Sequence, residues 1–185
     1  MAIFGAFRRK PHERAGFALY QAAVAAARDP WFYTALGVPD TLDGRFDLIA
    51  LHAALLIHRL KGDAPPGPDL AQAVFDAMFS DMDNNLREMG LDMGVSKRIR
   101  AMWEAFHGRA LAYGAALDAD DQDALAAAVA RNVWRGAGAT DIGAGATSDR
   151  ARSLAAYARR QFSALCRESL DEFAAGRAAF DGAFA

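Results

Sequence analysis

Residues 76–90 read DAMFSDMDNNLREMG, and the fold turns on whether the D-x-D-x-N beginning at Asp81 opens a loop or lies on a helix. A calcium loop of the EF-hand type needs oxygen ligands at positions 1, 3 and 5, a glycine at 6 and a bidentate Glu at 12. Counting from Asp81, position 6 is Leu86 and position 12 is Asp92. The turn residue is missing and the last ligand is too short. Meanwhile Phe75, Met78, Phe79, Met82, Leu86 and Met89 fall into one stripe at helical spacing that runs straight through the acidic residues. The stretch therefore predicts a continuous helix with that stripe as its core face. Asp76, Asp83 and Arg87 then lie along one flank and Asp81 and Glu88 along the other, with Asn84 pointing outward and Asn85 near the edge of the stripe. Asp83 and Arg87, four residues apart, can pair for a few tenths of a kcal/mol.

The same period extends in both directions. Alanine is abundant and apolar residues recur at three and four rather than at two, so helices are expected and strands are not. A first helix is expected over residues 12–28, followed by a short one through WFYTAL that Asp29-Pro30 caps and Gly37 and Pro39 stop. Residues 43–61 are apolar almost all round and should be central. Gly62 to Pro68 breaks the chain, and further helices are expected over 69–89, 96–117 and 120–135 and from about Asp149 onward. The expectation is an all-α, single multi-helix domain of about six to seven helices spanning residues 12–175, with a flexible basic N-terminus over 1–11, a flexible Gly/Ala loop over 136–148 and a flexible tail over 176–185.

With 185 residues the chain is long enough for one sizeable core, since folding at this length removes about 70% of the extended surface from water. It is 53% hydrophobic with a formal net charge of −2, which gives no reason to expect a specific nucleic-acid partner. Cys166 is the only cysteine, so an internal disulfide is excluded and a reducing, cytoplasmic setting is expected. The opening MAIFGAFRRK is too short for a signal-peptide core or a membrane span. Phe4 and Phe7 share a helical face ahead of Arg8, Arg9 and Lys10, which leaves two readings, a peripheral contact with an anionic surface, the inner face of the cell membrane, or a frayed, solvated end.

Beyond Met89 the segment GLDMGVSKRIR carries Ser96 as a cap and crowds Lys97, Arg98 and Arg100 into the first turn of the next helix. Cations there oppose the helix dipole by up to about 1 kcal/mol each. Either Glu88 and Asp92 offset them, or they are kept for a partner. Asp81, Asp83, Asn84, Arg87 and Glu88 together with Lys97, Arg98, Arg100 and Arg109 are accordingly the candidate partner-binding residues, one mixed-charge face suited to orientation and steering. Met78, Met82, Met89, Met93 and Met102 offer adaptable apolar surface, although most are expected in the core, as are Trp103 and Phe106.

Two blocks, DPWFYTALGVPDTLDGRFDLIALHAALLIHRL at 29–60 and MFSDMDNNLREMGLDMGVSKRIRAMWEAFHGR at 78–109, resemble the ubiquinol-cytochrome c chaperone family, with the likeness reaching over about residues 17–135. The resemblance implies a non-enzymatic assembly factor of respiratory complex III that holds newly made cytochrome b. For mitochondrial members it also implies a small partner protein and a contact near the ribosomal exit tunnel. This chain begins without a long targeting extension, and its Ala/Gly/Arg-rich composition is similar to that of a bacterial member.

Catalysis has little support in the residues themselves. His12, His52, His58 and His107 show no metal-ligand spacing, and neither a nucleophile elbow nor a phosphate-binding glycine loop occurs, so no metal or cofactor is expected. Arg45, His52 and Arg59 line up at heptad spacing on the central helix, where they either meet an acidic group or simply reach out of a buried element. An interaction protein of another membrane complex and a small α-helical enzyme are the alternative readings.

Overall fold

The computed structural model describes residues 12–88, 90, 95–134 and 144–182. Every regular element among them is a helix: α1 (Glu13–Ala27), α2 (Pro30–Thr34), α3 (Leu42–Lys61), α4 (Gly67–Glu88), α5 (Val95–Asp118), α6 (Gln122–Val133), α7 (Ala144–Arg167) and α8 (Leu170–Ala174). The expected flexible N-terminus, 1–11, lies outside the described residues.

Helix α3 is the axis of the bundle and packs against α1, α4, α5, α6 and α7. Its composition demands this place, since Leu48, Leu51, Leu55, Leu56 and Leu60 point in several directions and all are fully buried. Each such side chain contributes about 1.5–3 kcal/mol by leaving water. Helix α1 buries Gly16, Leu19, Tyr20, Ala23, Val24 and Ala27, one helical stripe, and Gly16 lets it lie directly on α4. A Cβ at Gly16 would sit 2.4 Å from the Ala73 Cβ and 2.6 Å from its carbonyl carbon.

The helix starts follow local chemistry. The Asp29 carboxylate accepts from the Trp31 N–H at 2.9 Å, the Thr41 hydroxyl from Gly44 N–H at 3.2 Å and the Asp121 carboxylate from Ala124 N–H at 2.8 Å. Gly37, at φ 62°, takes the left-handed turn after α2 that other residues adopt only with strain. Helix α5 begins at Val95, so Ser96 is inside it rather than its cap.

Three expectations at the C-terminal end change. Residues 144–148 belong to α7 and not to the loop, because alanines alternating with glycine hold a first turn that the glycine count alone argues against. The last helix does not run on past 167. Arg59 of α3 donates from Nε to the Leu165 carbonyl at 3.2 Å and from Nη2 to the Glu168 carbonyl at 3.3 Å, occupying the acceptors that close α7, and Ser169 caps α8 afresh. Finally, the described part of the expected tail, residues 177–182, lies back against α7, where Asp181 exchanges two backbone hydrogen bonds with the Gln161 side chain.

Candidate functional site

Helix α4 runs unbroken through the D-x-D-x-N, with Met78, Met82 and Leu86 buried and Phe75 and Phe79 packed half-buried against the core. Met89 lies outside the described residues. The helix end meets the start of α5, the start of α3 and the α1–α2 corner, and these enclose a groove of about 770 Å³. Phe46, Ile49, Met82, Leu86 and Met102 make its apolar floor, and Asp81, Glu88, Asp43, Arg45 and Arg98 stand on its rim. Leu42, 46% exposed, adds apolar surface at the lip.

The rim is a lattice of opposite charges. Arg98 lies 3.8 Å from Asp43, and Arg45 donates to Asp40 at 2.6 Å, which holds the exposed Asp40 carboxyl below the usual carboxylate range. Asp81 accepts from the Tyr20 hydroxyl at 2.7 Å. Burial first, and that bond second, push the Tyr20 phenol well above its ordinary range, so it stays a donor. This bond fastens α1 to the flank of α4 beside the groove.

The nine residues of the expected mixed-charge face are thus divided. Asp81, Glu88 and Arg98 come together on the groove. Asn84 faces a second hollow of about 1250 Å³ between α1 and α4, which Asp81 also borders. Asp83 and Arg87 make their expected pair on the opposite flank, at 2.7 and 3.3 Å. Lys97 is exposed, and Arg100 is exposed and donates to Glu104 at 3.1 Å. Arg109 is not on the surface. It is 8% exposed, paired with Asp47 of α3 and laid over the Phe46 ring, because its position on α5 faces inward where that helix crosses α3.

The counter-charges expected for the first turn of α5 also differ. Arg98 is opposed by Asp43, from the first turn of α3, and Arg100 by Glu104 on its own helix, while Asp92 lies outside the described residues. Trp103, expected in the core, is 44% exposed and stacks on His107 at 5.4 Å, whereas Phe106 is buried as expected. Of the heptad-spaced residues, Arg45 and Arg59 each meet an acidic group, Arg45 pairing with Asp40 on the rim and Arg59 with Asp63 while also closing α7, whereas His52 between them is fully enclosed. Asp43, Arg45 and Phe46 join the groove without having been singled out for it, and Tyr20 supports its rim through Asp81; no local pattern marks them. Among the described residues no helix is long and apolar enough to cross a membrane, and no group of three or more His, Cys, Asp or Glu side chains is placed to hold a metal ion.

The family model described as ubiquinol-cytochrome C chaperone matches residues 34–180. The ubiquinol-cytochrome-c reductase complex assembly factor 1 of Xenopus laevis is 29% identical over 103 residues, 55% of this chain and 51% of that protein, so the chain spans about half the length of this curated relative. The crystal structure of the Cbp3 homolog from Brucella abortus superposes with a TM-score of 0.80 at 39% identity, covering 95% of this chain and 93% of that one.

Proposed function

Since the chain belongs to the ubiquinol-cytochrome c chaperone family, we propose that it is a non-enzymatic assembly chaperone of the ubiquinol-cytochrome c reductase complex and that it holds newly made cytochrome b. The observation that carries this reading is the groove between α4, α5 and α3, where an apolar floor containing two methionines is ringed by alternating carboxylates and guanidinium groups. A hydrophobic client needs apolar area that adapts to its shape, which unbranched methionine provides, and a polar rim that orients it and rejects wrong partners. Asp81, Glu88 and Arg98 are the rim residues assigned to client contact, with Lys97 and Arg100 extending the basic side. Asp83 and Arg87 form a separate outer flank of α4, with Asn84 beside it at the α1 hollow, suited to a second assembly factor or to the ribosome.

The protein works at the inner face of the cell membrane in this reading, with Phe4, Phe7, Arg8, Arg9 and Lys10 as its foothold. The test is co-purification from gently solubilised membranes with identification by mass spectrometry. Cytochrome b is the expected co-purifying protein. Enrichment of subunits of another complex without cytochrome b would overturn the assignment.

A further inference from the structure

Residues 177–182 leave α8 at Gly176, whose φ of 77° reverses the chain, and return as an extended strap along α7. Among the described residues four side-chain hydrogen bonds take the strap's main chain, and Arg177 at its start adds a backbone bond to the Glu172 carbonyl at 2.9 Å and a side-chain pair with the Glu172 carboxylate. Glu168 accepts from the Ala179 N–H at 2.8 Å. Gln161 donates to the Asp181 carbonyl and accepts from the Asp181 N–H, both at 2.9 Å, and Arg160 donates to the Gly182 carbonyl at 3.2 Å. Gln161 is fully buried under the strap, and its amide matches one residue of extended backbone as a neighbouring strand would. Two strap side chains, Ala178 and Phe180, pack half-buried against the core. The Phe180 ring stands edge-on to His52 at 5.3 Å, and His52 is itself held by Leu48 and Tyr157.

This arrangement reads little of the strap's sequence. It needs an extended segment with free N–H and C=O groups at the Gln161 position and an aromatic ring one residue before it. A groove that recognises main chain plus one anchoring side chain accepts any segment with those features, as strand-addition sites do. We propose that the Gln161–His52 groove is a peptide-binding site for an extended, aromatic-bearing segment of a partner protein, which the chain's own residues 177–182 occupy at rest. The partner displaces the strap by supplying the same backbone pair and ring, with Gly176 as the pivot. This site is separate from the client groove beside α4 and does not depend on that assignment.

The probe is a fluorescein-labelled peptide covering residues 177–182, RAAFDG, with a counterpart carrying alanine at the aromatic position. Full-length Phe180→Ala is expected to bind the peptide at least tenfold more tightly than the unaltered chain does. The counterpart should not bind, and Gln161→Leu added to Phe180→Ala should abolish the gain. Amide exchange in the unaltered chain gives a reading independent of any variant's folding: the amides of Ala179 and Asp181 should exchange at least tenfold faster than those in the middle of α7. Equal protection of strap and helix would make the strap a permanent part of the fold and overturn the proposal. So would peptide binding that is indifferent to Phe180 and Gln161, or a Phe180→Ala chain that pairs into dimers in place of taking up peptide.

Discussion

Arg109 Nη1 lies 2.5 Å from Asp47 Oδ1 in the interior of the bundle, joining α5 to α3, and the guanidinium carbon is 5.4 Å from the centre of the Phe46 ring on the floor of the groove. The pair is almost fully enclosed, so its two charges are tolerated only together. Asp47→Ala leaves a buried guanidinium without its carboxylate and is expected to lower stability by about 3–5 kcal/mol in urea denaturation. Asp47→Leu with Arg109→Met should recover most of that loss. A single-variant loss well under 1 kcal/mol would mean that Arg109 reaches water.

The basic start of α5 gives a contrasting case. Arg98 and Arg100 are exposed, and surface pairs such as theirs with Asp43 and Glu104 are worth between zero and about 1 kcal/mol. Reversing both charges removes those pairs but favours the helix dipole by a similar amount. Arg98→Glu/Arg100→Glu should therefore melt within a few degrees of the unaltered chain while retaining clearly less cytochrome b on co-purification. Unchanged capture in a stable variant would remove this rim from client binding.

His52 makes stability depend on pH. Burial holds its imidazole down to about 4, opposed in part by its bond to the Leu48 carbonyl. Its Nδ1–H donates to Leu48 and its Nε2 accepts from the Tyr157 hydroxyl, so the folded protein keeps it neutral. The unfolded chain binds a proton below about pH 6.5 and the folded chain does not until about pH 4, so this group's contribution falls as pH drops through that window. The loss by pH 4 is about 3 kcal/mol. Melting temperature measured from pH 7 to pH 4 should fall more steeply for the unaltered chain than for His52→Gln. Parallel curves would show that the imidazole is solvated in the folded state.

Two glycines should respond to the same substitution with opposite signs. Gly16→Ala forces a methyl into the Ala73 backbone, where α1 lies on α4, and should destabilise by about 1–3 kcal/mol. Gly108→Ala, within α5, meets nothing within 4 Å and should stabilise by about 0.5–1 kcal/mol through the gain in helix propensity. Chemical denaturation of both variants checks the pair, and a neutral Gly16→Ala would show that α1 shifts readily on α4.

The N-terminal foothold is tested by partition onto anionic vesicles. Arg8, Arg9 and Lys10 should each add about 1 kcal/mol of binding at low salt, fading as salt screens them. A chain starting at Pro11 should bind far less than the full chain. Equal partition of the two would dismiss the segment as a membrane contact.

The sequence by itself determined the helices, because their signals are local. The apolar stripe through Asp81–Asn85, the Asp29 cap and the all-round apolarity of residues 43–61 each rest on spacing within a few turns, and α4, α2 and α3 follow from them. It also determined the Asp83–Arg87 pair, four residues apart on one helix. What it did not contain was which charged residues meet across the bundle. The period of α5 leaves Arg109 near the edge of its apolar stripe. Only the docking of α5 onto α3 brings it to Asp47, 62 positions away, and turns a candidate docking residue into a buried one. The groove was hidden for the same reason, since Asp43, Arg45, Asp81 and Arg98 are neighbours only after three helix ends converge. The strap was hidden because Gly176 and small residues on either side of Phe180 resemble a free tail, and its order comes from Gln161, Glu168 and Arg160 reaching for its backbone. Side chains that bind main chain leave no periodic mark on the segment they hold, so tertiary structure alone decided that contact.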